Sequence, residues 1–240
     1  MTIKIELCAA SIEAIEIARK LNIDRIELCQ DLEQGGLTPS AGLIQFAVKK
    51  GIETHVLIRP RAGGFNYTEE EIEVILNDIQ IAKQLGAKGI VVGVLQDNFE
   101  LDIIKLQRIK AVSGELELTF HRAFDESIDW RKSIDALIEL GFTRILTSGF
   151  ASNVEIGMEI LAQMTKYADN RIQIMPGGGV SAANVARIIS RVNPAAVHFS
   201  GTTKQILDED SHFSETILKV DKKRVVRIID SIKKQRIVNN

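Results

Sequence analysis

The feature that most restricts the fold is a repeat of pattern rather than of sequence. Short β-branched runs, each followed by a longer segment with helical apolar spacing, recur eight times along the chain. That succession is the mark of repeated βα units. It predicts strands over 3–8, 25–29, 53–59, 89–94, 115–121, 144–148, 171–175 and 196–200, with no proline interrupting them. Ser11 and Ser181 are placed to cap helices, Thr68 with Glu71 forms a capping-box pattern, and Thr38 precedes Pro39 at a first-turn position. Gly51, Gly86 and Gly141 stand where helices should stop. Loops are short except over 203–221, after which a final helix is expected over about 221–236.

Eight such units could form an open doubly wound sheet or close into a barrel. Side-chain alternation favours closure. Ile5, Leu7, Ile26, Leu28, Val56 and Ile58 form a greasy face, while Glu6, Cys8, Glu27, Cys29, His55 and Arg59 alternate with them. Glu117, His121 and His198 extend the polar set to five strands. A parallel strand between two helix layers would be apolar on both faces, whereas a barrel strand can aim polar groups inward. The segment Ile5-Glu6-Leu7-Cys8 reappears as Ile26-Glu27-Leu28-Cys29, matching positions of neighbouring units. With 240 residues, the expected architecture is a single-domain (β/α)8 TIM-type barrel spanning 1–240, with its site at the C-terminal strand ends.

Charge is numerous but balanced, 30 Lys and Arg against 32 Asp and Glu, so nothing points to nucleic acid or an anionic membrane. No apolar run approaches the length of a membrane span, and no signal-peptide pattern opens the sequence. The expectation is a cytoplasmic protein with a small polar partner. Cys8 and Cys29 are then thiols rather than a disulfide.

Three groups could carry chemistry. Cys8 and Cys29 end neighbouring strands in matching register, so their sulfurs could share a soft ion such as Cu(I), with His55 or His198 as additional ligand; equally, they could be two small buried thiols. Gly178 and Gly179, with Ser200 and Gly201, follow the seventh and eighth strands, where barrels often bind phosphate, and Arg59 and Arg61 would add cationic donors. His121, Arg122 and Asp125 bring a tunable base, a cation and a carboxylate together, either as a catalytic pair of His121 with Asp125 or as a loop salt bridge between Arg122 and Asp125.

Several runs together resemble the CutC family: 24–29 (Asp-Arg-Ile-Glu-Leu-Cys), 35–40 (Gly-Gly-Leu-Thr-Pro-Ser), Arg59-Pro60-Arg61, 119–125 (Thr-Phe-His-Arg-Ala-Phe-Asp), 146–149 (Leu-Thr-Ser-Gly) and the glycine loop through Val180. The resemblance implies a TIM-type barrel, a cytoplasmic location, self-association as a dimer or tetramer, and a role in copper handling with Cys8 and Cys29 as ligands. Gly64 and Ala196 stand where the family often has acidic residues, which would remove negative charge near the mouth. Copper homeostasis is therefore the first expectation. The alternative is an isomerase- or lyase-like enzyme acting on a small phosphorylated or carboxylated metabolite, with His121 moving a proton. A third is a scaffold that docks partners on the amphipathic segment 69–85.

Overall fold

The computed structural model describes residues 3–206 and 216–238. The strands are β1 (Lys4–Ala9), β2 (Arg25–Leu28), β3 (Thr54–Leu57), β4 (Gly89–Val92), β5 (Glu117–Phe120), β6 (Arg144–Thr147), β7 (Gln173–Pro176) and β8 (Ala196–Phe199). They form one parallel sheet in the order β7-β6-β5-β4-β3-β2-β1-β8, and β7 lies beside β8, so the sheet curls round on itself. Seven helices connect them: α1 (Ile12–Lys20), α2 (Ala41–Lys49), α3 (Glu69–Gln84), α4 (Ile103–Ser113), α5 (Trp130–Glu139), α6 (Met158–Ala168) and α7 (Val185–Val192). An eighth, α8 (Lys222–Val238), follows the last barrel strand. This is the expected single-domain (β/α)8 barrel.

Most predicted helix signals act as read. Ser11 accepts from the Ala14 N–H at 3.2 Å, and Thr68 and Glu71 form both halves of the capping box. Two caps differ. Ser40, not Thr38, caps α2, because the Thr38 hydroxyl accepts from the Arg59 N–H at 2.9 Å; α7 starts after Asn184, with Ser181 three residues upstream in a turn. The predicted loop over 203–221 contains an antiparallel pair instead, β9 (Thr202–Ile206) with β10 (Thr216–Val220), while 207–215 lie outside the described residues.

Alternation sorts the strands as expected. Leu7, Ile26, Leu28, Val56 and Ile58 join Ile15, Ile44, Ile72 and Ile75 of the helices in one continuous apolar cluster. The stripe on α3 (Ile72, Ile75, Ile79, Ala82) is spent on this core, which removes it as a docking face. The other strand face looks into the barrel. Cys8, Cys29, Leu57 and Val91 pack there, as do Leu146, Met175 and Ala196. Ala196 pairs with Lys4 at the start of β1, so its departure from the family pattern concerns the barrel floor rather than the mouth.

The remaining inward space is ionic. Glu6 is fully buried and ion-paired with Arg25, whose Nη1 lies 3.5 Å from Glu53, while Arg144 reaches Glu117 at 2.5 Å. Gly89 makes room for the His55 ring: a Cβ there would stand 2.5 Å from its Cε1 and 2.7 Å from the Glu117 carbonyl. Gly89→Ala should therefore destabilise the fold by about 1–3 kcal/mol through overpacking. Gly42→Ala in α2, whose Cβ would meet nothing nearer than Ser40 Oγ at 4.0 Å, should stabilise it by about 0.5–1 kcal/mol. Urea midpoints at constant slope measure both.

Candidate functional site

At the C-terminal ends of the strands opens a cavity of about 1040 Å³. The expected Cys8, Arg59, His121, Arg122 and His198 line it, as do the glycine loop and Ser200 with Gly201. Glu27, Phe65, Arg224 and Arg227 also line it and were not singled out as site residues from the sequence. Glu27 had a signal, since it occupies the position of Glu6 in the repeated tetrapeptide. The two arginines had none, because α8 reaches the mouth only after the barrel has closed.

The cysteines meet, but not in the matching register expected: the strand pairing sets Cys8 opposite Glu27, and Cys29 lies just past the end of β2, two residues further along, with Cys8 Sγ 3.6 Å from Cys29 Sγ and Cys29 fully buried behind it. Contact with Cys29 and burial hold the Cys8 thiol well above the usual range. Cys8, Glu27 and His198 each offer a donor atom, all within 4.8 Å of one another. His198 is fixed by Glu6, its Nδ1 lying 2.8 Å from the carboxylate. Burial would lower the His198 pKa, but Glu27, Cys8 and Glu6 outweigh it and raise the value well above the ordinary one. Burial would likewise raise Glu6, yet its bond with His198 and the Arg25 charge hold it low. Glu27 differs: burial pushes it up to about 7, and its Oε2 has no hydrogen-bond partner.

His55 does not join the thiols. It lies with Glu53 and Glu117, its Nε2 3.4 Å and 3.7 Å from their carboxylates, and Arg144 Nη1 lies 3.3 Å from its Nδ1. A guanidinium can only donate, so Nδ1 accepts and the neutral ring carries its proton on Nε2, facing the carboxylates. That tautomer offers a metal no lone pair, and the carboxylates already pair with Arg25 and Arg144. This group is a structural ion network.

The pairing of His121 with Asp125 is not formed. Asp125 pairs with Arg122 at 2.9 Å and accepts from the Thr147 hydroxyl and from the Ser148 and Phe150 N–H groups, pinning the loop after β6. His121 instead accepts the Ala123 N–H on Nδ1 at 3.1 Å. Burial, with the nearby Arg59 charge, lowers its pKa to about 3, so the ring is neutral at neutral pH and only a weak base.

The two arginines also part company. Arg59 lines the cavity, whereas Arg61 turns away to pair with Glu71 and to donate to the Gly64 carbonyl at 2.8 Å, so it is not an anion ligand of this site. Gly178 and Gly179 take left-handed φ values of 93° and 87°, and the Arg122 guanidinium lies over Gly178, with Nη1 3.1 Å from where a Cβ would be. Asn184 holds this loop by donating to the Gly179 carbonyl at 2.9 Å.

The CutC family model matches residues 3–203. The chain belongs to the CutC family. A family protein CutC from Glaesserella parasuis is 44% identical over 211 residues, covering 87% of each chain. Another from Bacteroides thetaiotaomicron is 43% identical over 197 residues, 81% of this chain and 79% of its own. A solved structure from Streptococcus agalactiae, described as a copper homeostasis protein CutC, is 37% identical with a TM-score of 0.78, covering 82% of this chain and 97% of its own. Phosphoribosylanthranilate isomerase from Thermotoga maritima shares the fold alone, at 13% identity and a TM-score of 0.61 over 97% of this chain and 99% of its own.

Within this CutC barrel the state of His121 is testable through pH. Between its ordinary value of 6.5 and its folded value of about 3, the unfolded chain binds a proton that the folded chain does not, so stability falls as pH drops through that window. His121→Asn keeps an acceptor for Ala123 and removes the titration. Relative to wild type, the variant should gain roughly 3 kcal/mol between pH 7 and pH 4, measured by urea unfolding. A constant difference would contradict the neutral, buried ring.

Proposed function

We propose that this protein binds Cu(I) as cargo in the cytoplasm, with Cys8 and Cys29 as thiolate ligands and His198 as the third donor. The observation that carries the reading is the 3.6 Å contact between the two sulfurs, with the His198 imidazole beside Cys8 at the cavity floor. Two sulfurs and one imidazole are a soft donor set, suited to Cu(I). Because Glu6 holds Nδ1 of His198, Nε2 is the nitrogen left for a ligand, and a carboxylate behind a ligating histidine is the usual supporting arrangement. The Streptococcus agalactiae protein described as a copper homeostasis protein adds to this reading.

Titration of the reduced protein with Cu(I) against a competing chelator tests it. Cys8→Ala with Cys29→Ala should weaken binding by at least about 100-fold, and Glu6→Gln, acting through His198, by about 10–100-fold. Unchanged affinity in the double variant, with its melting temperature retained, would refute the assignment.

The size of the cavity favours a second reading. About 1040 Å³ far exceeds what one ion needs and is ample for a metabolite. An isomerase- or lyase-type enzyme acting on a small phosphorylated or carboxylated compound would use the Gly178 and Gly179 loop for the anion. Proton transfer then falls to Glu27, its pKa raised to about 7 and one oxygen free of hydrogen bonds, rather than to the weakly basic His121. Phosphate esters and sugar phosphates should raise the melting temperature by mass action. A flat response across such a panel counts against this reading.

A further inference from the structure

Arg59 is a buried cation whose charge nothing in the described protein neutralises. Arg25 pairs with Glu6 and Arg144 with Glu117, but Arg59, 7% exposed, makes no ion pair among the described residues. Its donors go to main-chain carbonyls: Nη1 to Gln34 at 2.8 Å and Gly36 at 3.1 Å, and Nη2 to Gly63 at 2.8 Å. The Nε–H makes no hydrogen bond that meets ordinary geometry, and the buried Tyr67 hydroxyl, the side-chain oxygen that interacts with Arg59, is likewise left without one.

Beside it stands a second orphan. Because Ala123 donates to Nδ1 of His121, the neutral ring carries its proton on Nε2, and that buried atom has no partner either. Both side chains line the cavity, and both rest on Phe65: the Arg59 guanidinium carbon lies 5.2 Å from the ring centre, the His121 ring 4.9 Å. Gly93 makes this possible, since a Cβ there would occupy the space of the imidazole. Of the acidic residues lining the cavity, Asp125 pairs with Arg122, Glu27 lies beside His198, and the exposed Glu126 makes no ion pair with Arg59. This wall thus presents one uncompensated positive charge and two unanswered N–H groups.

We propose that Arg59 and His121 form the binding subsite for the carboxylate of a small organic acid, flanked by the apolar ring of Phe65. One singly charged, two-oxygen group supplies both missing acceptors and the missing counter-charge. The subsite rests on the metabolite reading of the cavity and does not depend on copper binding at the thiols.

Thermal melts with acetate, pyruvate and benzoate, against chloride and inorganic phosphate at matched ionic strength, test it together with imidazole ¹⁵N NMR of the wild-type protein. At least one carboxylate should raise the melting temperature saturably and shift the His121 Nε2 resonance. His121→Asn, which keeps the Ala123 contact, should weaken that binding by at least about tenfold. Carboxylate binding that leaves the resonance unmoved and survives His121→Asn overturns the subsite. Stabilisation by inorganic phosphate alone also overturns it while leaving the metabolite reading intact; no response to any of these anions or to sugar phosphates overturns both.

Discussion

Everything inside this barrel depends on Glu6. It is fully buried at the centre of the polar face, where an isolated carboxylate would protonate, and it stays charged because Arg25 and His198 both bind it. The same carboxylate therefore ties two ends of the molecule. Through Arg25 it joins Glu53, and with it the His55, Glu117 and Arg144 network at the strand starts. Through His198 it fixes the imidazole that stands beside Cys8 and Glu27 at the cavity floor. A barrel with a polar interior is feasible only with such pairing, and the pairing here is also what orients the site.

Charge is satisfied unevenly along the barrel. Toward the strand starts Glu6, Glu53 and Glu117 pair with Arg25 and Arg144, and the atoms there that lack a hydrogen bond, His55 Nε2 and Arg144 Nε, belong to residues held in those pairs. Toward the mouth Glu27 Oε2, Arg59 Nε and His121 Nε2 lack hydrogen-bond partners; Glu27 has only His198, 3.4 Å away, and Arg59 has no ion pair among the described residues. Exposure does not explain the difference, since all three residues are buried. Buried groups without partners persist where a ligand completes them or where function needs them unmet. The lower network thus reads as architecture and the upper set as a site, although the same strands supply both.

This division marks what the sequence could and could not convey. Alternation has a period of two, so the inward set was legible from residue order alone. Height along the barrel axis was not, because it depends on the stagger between strands. His55 and His198 look alike in pattern, yet one lies in the lower network and the other beside the thiols. Arg59 and Arg61 are two residues apart in one loop, and only the fold of that loop sends the second to Glu71. The spacing of His121 and Asp125 suggested a pair, but Thr147 at the end of β6 and the Ser148 and Phe150 N–H groups of the loop after it claim the carboxylate. The cysteine contact was anticipated, but from a matching register that the strands do not have: Cys8 pairs with Glu27, and it is the stagger of β2 against β1 that brings Cys29, two residues further on, to its sulfur.

The thiol pair also limits the chemistry the mouth can perform. A cysteine nucleophile needs a depressed pKa, with positive charge or a helix terminus beside the sulfur. Here Cys29, burial and the carboxylate of Glu27 all act in the opposite direction on Cys8, against a smaller opposing effect of His198. Cys8 is thus a protonated thiol at neutral pH and is unsuited to covalent catalysis. A soft ion can displace that proton where weak electrophiles cannot, and binding would then release protons. The features that disqualify the pair as a nucleophile are compatible with a metal-binding role, which is why the sulfurs and the Arg59–His121 wall call for ligands of different chemistry within one cavity.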